Sequence, residues 1–134
     1  MSHEILHPKH WKPARGYANG VAAEGRMVFT GGLIGWNANC EFETDDFVEQ
    51  VAQALRSIVE VLAEAGAKPE HLVRLTWYVT DKAEYLATIK EVGAAYREIM
   101  GKHFPAMSVV EVKSLVESEA KIEVEATAVV PRAQ

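Results

Sequence analysis

Apolar residues recur at three- and four-residue steps in two long segments of the chain, residues 46–65 and 81–100. This spacing places them along one side of an α-helix. Asp46 precedes the first apolar residue with Glu49 three positions later, a helix N-cap pattern, and Gly66 stands where a C-cap is expected. The pattern predicts two helices, and the apolar stripe of the first consists of Phe47, Val51, Ala54, Leu55, Ile58, Val61, Leu62 and Ala65.

Short segments rich in β-branched and aromatic residues lie around the predicted helices. They predict strands at residues 17–23, 27–35, 73–79, 107–112 and 121–130. The glycine pair Gly31-Gly32 inside the second of these marks a bulge, or a place where another chain or a ligand approaches the backbone. Residues 1–16 contain His3, His7 and His10, whose spacing matches no metal site, so an irregular arm or an edge strand is expected there.

The order of these elements is β-β-α-β-α-β-β, with a tight turn between the first two strands. This order favours an α+β fold with both helices on one face of the sheet. The other face is also expected to be apolar along several strands, so it should pack against other subunits rather than face water. The length of 134 residues fits a single domain that spans residues 1–134.

Composition and charge narrow the range of functions. The chain is 49% hydrophobic and 25% charged, as globular proteins are, and its net charge of -5 argues against nucleic acid as a partner. Its one cysteine, Cys40, excludes an intrachain disulfide and a CxxC metal or redox motif. No apolar run is long enough for a membrane span and the N-terminus lacks a signal-peptide core, so we expect a cytoplasmic protein.

Four segments resemble motifs of one known family, in the same order and at compatible spacings. They are MVFTGGLIG at residues 27–35, VRLTWYVTD at 73–81, FPAMSVVEV at 104–112 and KIEVEA at 121–126. On these residues the chain resembles the YjgF/Rid (reactive intermediate deaminase) family from about residue 14 onwards. The resemblance implies a chorismate-mutase-like α+β protomer, assembly as a homotrimer, and three small-molecule clefts between subunits. It also implies hydrolysis of imines or enamines of 2-amino acids without a metal or an organic cofactor.

The resemblance also suggests roles for individual residues. Glu123 corresponds to the catalytic glutamate that holds or polarises the attacking water. Tyr17 and the backbone at Thr30-Gly31 correspond to parts of the cleft wall that contact the substrate. Trp36, in the loop after the glycine-containing strand, is a further candidate for the cleft or for a subunit interface, where it could stack on a ligand.

One departure from the family pattern bears directly on function. Met107 stands where the family has the arginine that grips the substrate carboxylate, and Val109 stands where a cysteine is often found. A methionine makes this part of the cleft apolar and adaptable but supplies no charge. Arg15, Arg74 and His103 are candidates for a substitute cation, although a surface ion pair or an ordinary loop position explains each of them as well.

Residue chemistry alone leaves three interpretations of Glu123. A glutamate in a strand that borders the core faces solvent, pairs with a cation such as Lys121, Lys113 or Arg74, or lines a wet cleft. A partly desolvated carboxylate can direct a water and return a proton to a departing nitrogen. The resemblance favours the cleft.

Two functions follow from these residues. The first is an enamine or imine deaminase, a hydrolase, that acts on a substrate other than the usual 2-imino acids. The alternative is a trimer that binds a metabolite or a partner without turnover. Ribonuclease activity, also attributed to some family members, is disfavoured by the acidic charge balance and by the lack of a histidine pair near Glu123.

Overall fold

The computed structural model describes residues 3–132. Its helices are α1 (Phe47–Glu64), α2 (Lys82–Ala87) and α3 (Ile89–Met100), with a 3-10 turn at Pro69–His71. Its strands are β1 (Glu4–Leu6), β2 (Gly20–Ala22), β3 (Arg26–Phe29), β4 (Leu33–Ile34), β5 (Leu72–Val79), β6 (Ala106–Glu111) and β7 (Ile122–Val130). None of the helices in this part of the chain is long and apolar enough to cross a membrane.

A five-stranded sheet lies at the centre of the fold. Its order is β3-β7-β5-β6, and β4 also pairs with β7. β5 and β6 are parallel, as strands joined by a helical crossover can be, and the other neighbouring strands are antiparallel. The arm predicted over residues 1–16 contains β1, which pairs with β2 in a separate two-stranded sheet. The predicted α+β class is confirmed.

Helices α1 and α3 pack on one face of the central sheet, as predicted. Alternate residues of β5 and β7 point into this core because side chains alternate along a strand. Leu75 and Val124, for example, are fully buried. The helical side of the core consists of Phe47, Val51, Ala54, Leu55, Ile58, Leu62, Val92, Tyr96 and Met100.

Helix α1 begins and ends where the local sequence predicts. The Asp46 carboxylate accepts a hydrogen bond from the Glu49 backbone N–H at 3.0 Å. The Glu49 side chain accepts from the Thr44 hydroxyl at 2.7 Å, and that hydroxyl in turn accepts from the Asp46 N–H at 3.0 Å. Gly66 follows the helix with a φ of 71°, a left-handed conformation that glycine adopts without strain.

The single helix predicted over residues 81–100 is wrong at Thr88, which ends α2 and begins α3. The Thr88 hydroxyl donates to the Glu84 carbonyl at 2.8 Å. A threonine that bonds back to the carbonyl four residues earlier bends a helix. The apolar spacing continues across the bend and therefore does not reveal it. The outer ends are correct, since Asp81 caps α2 and Gly101 ends α3 with a φ of 74°.

Gln50 is a fully buried polar residue on α1 that joins separate loops. Its side-chain amide donates to the Thr44 carbonyl at 3.1 Å and to the Glu119 carbonyl at 3.0 Å. Its Oε1 accepts from the Lys121 N–H at 2.9 Å, immediately before β7. A Cβ added at Gly35 would lie 2.6 Å from the Gln50 Cβ, so the glycine allows α1 to approach the chain after β4.

The face of the sheet opposite the helices, which we call the open face, differs from the prediction. Met27 and Phe29 on β3 are 60% and 64% exposed, and Val110 on β6 is 43% exposed. The open face is therefore apolar at its margins. Between those margins, the two central strands carry polar residues, so the expectation of an apolar face is wrong for the middle of the sheet. These polar residues are Arg74, Thr76, Tyr78, Glu123, Glu125 and Thr127.

Candidate functional site

A β-bulge interrupts the strand predicted over residues 27–35. Phe29 pairs with Thr127 and Leu33 pairs with Val124, so four steps along this strand match three along β7. The extra residue lies in the Thr-Gly-Gly segment between β3 and β4, where the glycine pair predicts a bulge. A bulge changes the direction of nearby side chains and often occurs beside functional sites.

Thr30 holds this bulge in place. Its hydroxyl accepts from the Ala126 N–H at 3.0 Å and donates to the Gly31 carbonyl at 2.8 Å. The hydroxyl is therefore occupied by the backbone. Gly31 is exposed, and a Cβ added to it would meet nothing within 4 Å, so its backbone is accessible.

The Glu123 carboxylate lies directly over Gly32. A Cβ added at Gly32 would be 1.9 Å from Glu123 Oε2, so only a glycine leaves room for the carboxylate here. Among residues 3–132, no lysine, arginine or histidine nitrogen lies within 4.0 Å of Glu123, and Lys121 instead approaches Glu84 at 3.9 Å. An ion pair between Glu123 and another described residue of the same chain is therefore excluded.

Tyr78 and Glu125 form a polar contact beside Glu123 on the open face. The Tyr78 hydroxyl donates to Glu125 Oε1 at 2.8 Å. This hydrogen bond raises the pKa of Tyr78 above its usual value, with smaller contributions from burial and from the charges of Glu125 and Glu123. Tyr78 therefore remains a protonated donor at neutral pH.

A second group of predicted residues lies between β6, α2 and α3 on the helix side of the sheet. Tyr17, Met107 and Val109 line one cleft there, with a volume of about 500 Å³. Its size is in the range of small-molecule pockets, about 300–1,000 Å³. We call it the helix-side cleft, and its other lining residues are Arg15, Gly16, Trp77, Tyr85, Ile89, Val92, Gly93, Tyr96, Arg97 and Phe104.

Packed aromatic rings form the floor of the helix-side cleft. The Tyr96 ring stacks on Phe104 with centroids 5.3 Å apart and lies 6.3 Å from Trp77. The Tyr96 hydroxyl donates to the His103 carbonyl, and burial raises its pKa well above the usual value. Burial also raises the pKa of Tyr85. The floor is therefore apolar and consists largely of packed aromatic rings.

Met107 and Glu123 lie on opposite faces of the sheet in one chain. Met107 pairs with Leu75, which points into the core, whereas Glu123 pairs with Tyr78 on the open face. Paired residues share a face and neighbouring residues alternate between faces. One chain therefore carries two separate groups of candidate residues, which we call half-sites: the helix-side cleft, and a carboxylate half-site made of Thr30, Gly31, Gly32 and Glu123.

Trp36 does not line the helix-side cleft. Its ring packs against Phe42 with centroids 5.8 Å apart, in the loop after β4. Trp36 instead lines a separate pocket of about 520 Å³, whose other lining residues are Asn37, Cys40, Glu41, Phe42, Glu43, Glu117 and Glu119. A cavity of about 740 Å³ between residues 42–45 and 113–121 contains no predicted site residue. Within residues 3–132, no three His, Cys, Asp or Glu side chains form a group that could hold a metal ion.

The three candidate substitute cations occupy different places. Arg15 lines the helix-side cleft, Arg74 lies on the open face, and His103 is tied to the cleft floor through its carbonyl. The structure adds Arg97, which the sequence argument missed. The helical spacing in the sequence places Arg97, four residues after Gly93, on the same side of α3 as that glycine. The structure shows that this side faces the cleft.

Comparisons with known proteins find relatives over most of the chain. The family model described as Endoribonuclease L-PSP matches residues 8–130. A RutC family protein from Aquifex aeolicus is 32% identical over 126 residues, which cover 94% of this chain and 98% of that protein. A protein from Escherichia coli K12 named 2-iminobutanoate/2-iminopropanoate deaminase is 34% identical over 116 residues, which cover 84% of this chain and 86% of the relative.

A solved structure also matches along nearly the whole chain. It is YyfB from Yersinia pestis, described as a member of the conserved Rid protein family. It is 32% identical in sequence with a TM-score of 0.87, and the match covers 97% of this chain and 100% of the other.

Proposed function

Because this chain belongs to the Endoribonuclease L-PSP family, which includes the YjgF/Rid proteins, we propose that it hydrolyses an imine or enamine without a cofactor. The site would lie between subunits of a homotrimer, and its substrate would differ from the usual small 2-imino acids. The observation that carries the proposal is the Glu123 carboxylate, which has no cation partner among the described residues and lies over the β-bulge at Gly32. The relative named as a deaminase supports the reaction class.

The reaction needs only a water and one group that exchanges protons. The substrate would enter as the protonated imine, and Glu123 would accept a proton as the water oxygen bonds to the imine carbon, which gives a neutral tetrahedral carbinolamine. The protonated carboxyl would then give that proton to nitrogen, the carbon–nitrogen bond would break, and the hydroxyl proton would pass to the departing ammonia. The products are a carbonyl compound and an ammonium ion, and the carboxylate is regenerated. The accessible Gly31 backbone and the Thr30 bulge would form the adjacent wall.

Assembly is needed because the two half-sites lie on opposite faces of one chain. Exposed apolar residues at both margins of the open face, Met27, Phe29 and Val110, support burial against other copies. A neighbour packed there could bring its helix-side cleft to this chain's Glu123. We expect light scattering at micromolar concentration to report a homotrimer. A stable monomer or dimer would contradict the intersubunit site.

Gly32 provides a test of how Glu123 is positioned. Gly32→Ala places a methyl group where the Glu123 carboxylate now lies, so the side chain must turn away. We expect imine hydrolysis to fall by about 10-fold or more, with the melting temperature nearly unchanged because the displaced group is the end of a flexible side chain. The matched control is the same change in a Glu123→Gln background. It should cause no further loss, because coupled residues are not additive.

Small imino acids should be poor substrates. Met107 offers no charge to a carboxylate, and one such contact contributes about 10- to 100-fold in binding. We expect 2-aminoacrylate to be hydrolysed at least about 10-fold more slowly than by an arginine-bearing relative assayed in parallel. Ammonia and pyruvate release measures this. Equal rates would mean that another cation reaches a three-carbon substrate.

The second candidate is a trimer that binds a metabolite or a partner without turnover. The methionine at position 107 favours it, because it removes the group that orients the usual substrate. The two candidates differ in a single measurement. If the protein is a deaminase, imines that an amino-acid oxidase generates from amino acids with a range of side chains should release ammonia faster when the protein is present. No acceleration with any of them would favour binding alone.

A further inference from the structure

Two arginines line the helix-side cleft, and neither has a carboxylate partner in the part of the chain that the structure describes. A Cβ added at Gly93 would lie 3.3 Å from Arg97 Nη1, so the guanidinium folds over this glycine on the cleft side of α3. Arg15 lines the same cleft from the segment before β2. Within residues 3–132, neither guanidinium lies within 4.0 Å of a carboxylate oxygen. Both arginines are exposed, so a bound anion can reach their guanidinium groups.

The interior of the same cleft is apolar. Phe104 stacks on Tyr96, and Met107 packs against the core beside them. A methionine thioether adapts its shape to a neighbouring group and makes favourable contacts with aromatic rings. An arginine at position 107 would place a third positive charge among these residues. The cleft therefore combines a cationic rim with an adaptable aromatic floor.

We infer that Arg97 and Arg15 hold the carboxylate of an acid whose bulky, apolar or aromatic body lies on Phe104 and Met107. This inference rests on the proposed function and names its substrate class, imines or enamines of large apolar acids. The carboxylate contact has moved from the strand position of Met107 to Arg97 on α3 and Arg15 before β2. A cleft of about 500 Å³ has room for an acid much larger than three carbons, so the change favours larger substrates.

Equilibrium binding tests this without any reaction. Titration calorimetry of the wild-type protein would compare 3-phenylpropionate with its uncharged amide, 3-phenylpropionamide, and with acetate. We expect the aromatic acid to bind at least about 10-fold more tightly than the amide and than acetate, since only it engages both rim and floor. Equal affinity for acid and amide would overturn the inference.

Variants of the two rim arginines, Arg97 and Arg15, test whether these residues bind the carboxylate. Arg97→Gln and Arg15→Gln should each weaken binding of the acid by about 10-fold while changing that of the amide by less than about 2-fold. Arg97→Lys keeps the charge but loses the planar fork, so its affinity should fall between Arg and Gln. Arg56→Gln is the matched control, because Arg56 is exposed on α1 and contacts Gln53 rather than the cleft.

Two other outcomes would overturn the inference. An affinity for the acid that is unchanged in Arg97→Gln would exclude a direct contact. Dissociation of the assembly by Arg97→Gln in a sizing experiment would mean that Arg97 pairs with a neighbouring chain. Acid binding as expected without turnover of any imine would contradict the proposed chemistry alone. Turnover that depends on Glu123 without binding of aromatic acids would contradict this inference alone.

Discussion

Replacing Glu123 by glutamine is expected to slow imine hydrolysis by roughly 100- to 10,000-fold, the usual contribution of a general acid–base group. The amide keeps the size and shape of the carboxylate but can neither accept the proton of water nor return it to nitrogen. Initial rates of ammonia release, with the substrate that the wild-type protein turns over fastest, measure the loss.

Folding of this variant should be nearly unchanged. Glu123 has no cation partner among the described residues, so removing its charge leaves no unpaired cation behind within the chain. If the charge instead pairs across a subunit interface, glutamine would destabilise the assembly by about 3–5 kcal/mol. Thermal melting and sizing distinguish these cases. An early melt or a dissociated trimer would remove the main reason for assigning chemistry to Glu123.

Replacing Gln50 by leucine is expected to produce the largest loss of stability, about 3–5 kcal/mol. The change leaves the carbonyls of Thr44 and Glu119 and the N–H of Lys121 without their partner. Each unsatisfied buried backbone group costs about 1–3 kcal/mol, and partial access to water lowers the sum. For a chain of this size the melting temperature should fall by about 10–20 °C.

Gln53→Leu is the matched control for this prediction. Gln53 lies one turn further along α1, is only partly buried, and bonds to Ser57 rather than to another element. We expect its melting temperature to change by no more than a few degrees, since substitutions away from buried networks usually shift stability by about 0.5 kcal/mol or less. Similar losses in both variants would mean that the effect reflects the helix surface and not the buried hydrogen bonds.

Local sequence determined the elements and several of their ends. The cap at Asp46, the glycine after α1 and the bulge at Gly31-Gly32 all depend on residues within a few positions of each other. The bend at Thr88 depends on whether the threonine hydroxyl donates a hydrogen bond to the carbonyl four residues earlier. The spacing of apolar residues does not predict that hydrogen bond. The family motifs similarly marked Glu123, Tyr17 and Met107 as candidate site residues by their positions in the sequence.

Which residues share a site was decided only by the tertiary structure. The alternation along β6 and along β7 is visible in the sequence, but the relation between the two strands depends on their register with β5. A shift of one residue would move every side chain of a strand to the other face. That register places Met107 on the helix side and Glu123 on the open face. The tertiary structure also brings Arg15, from a segment without regular structure, into the same cleft as Arg97. Long-range packing, and not the spacing of the two residues in the sequence, sets that proximity.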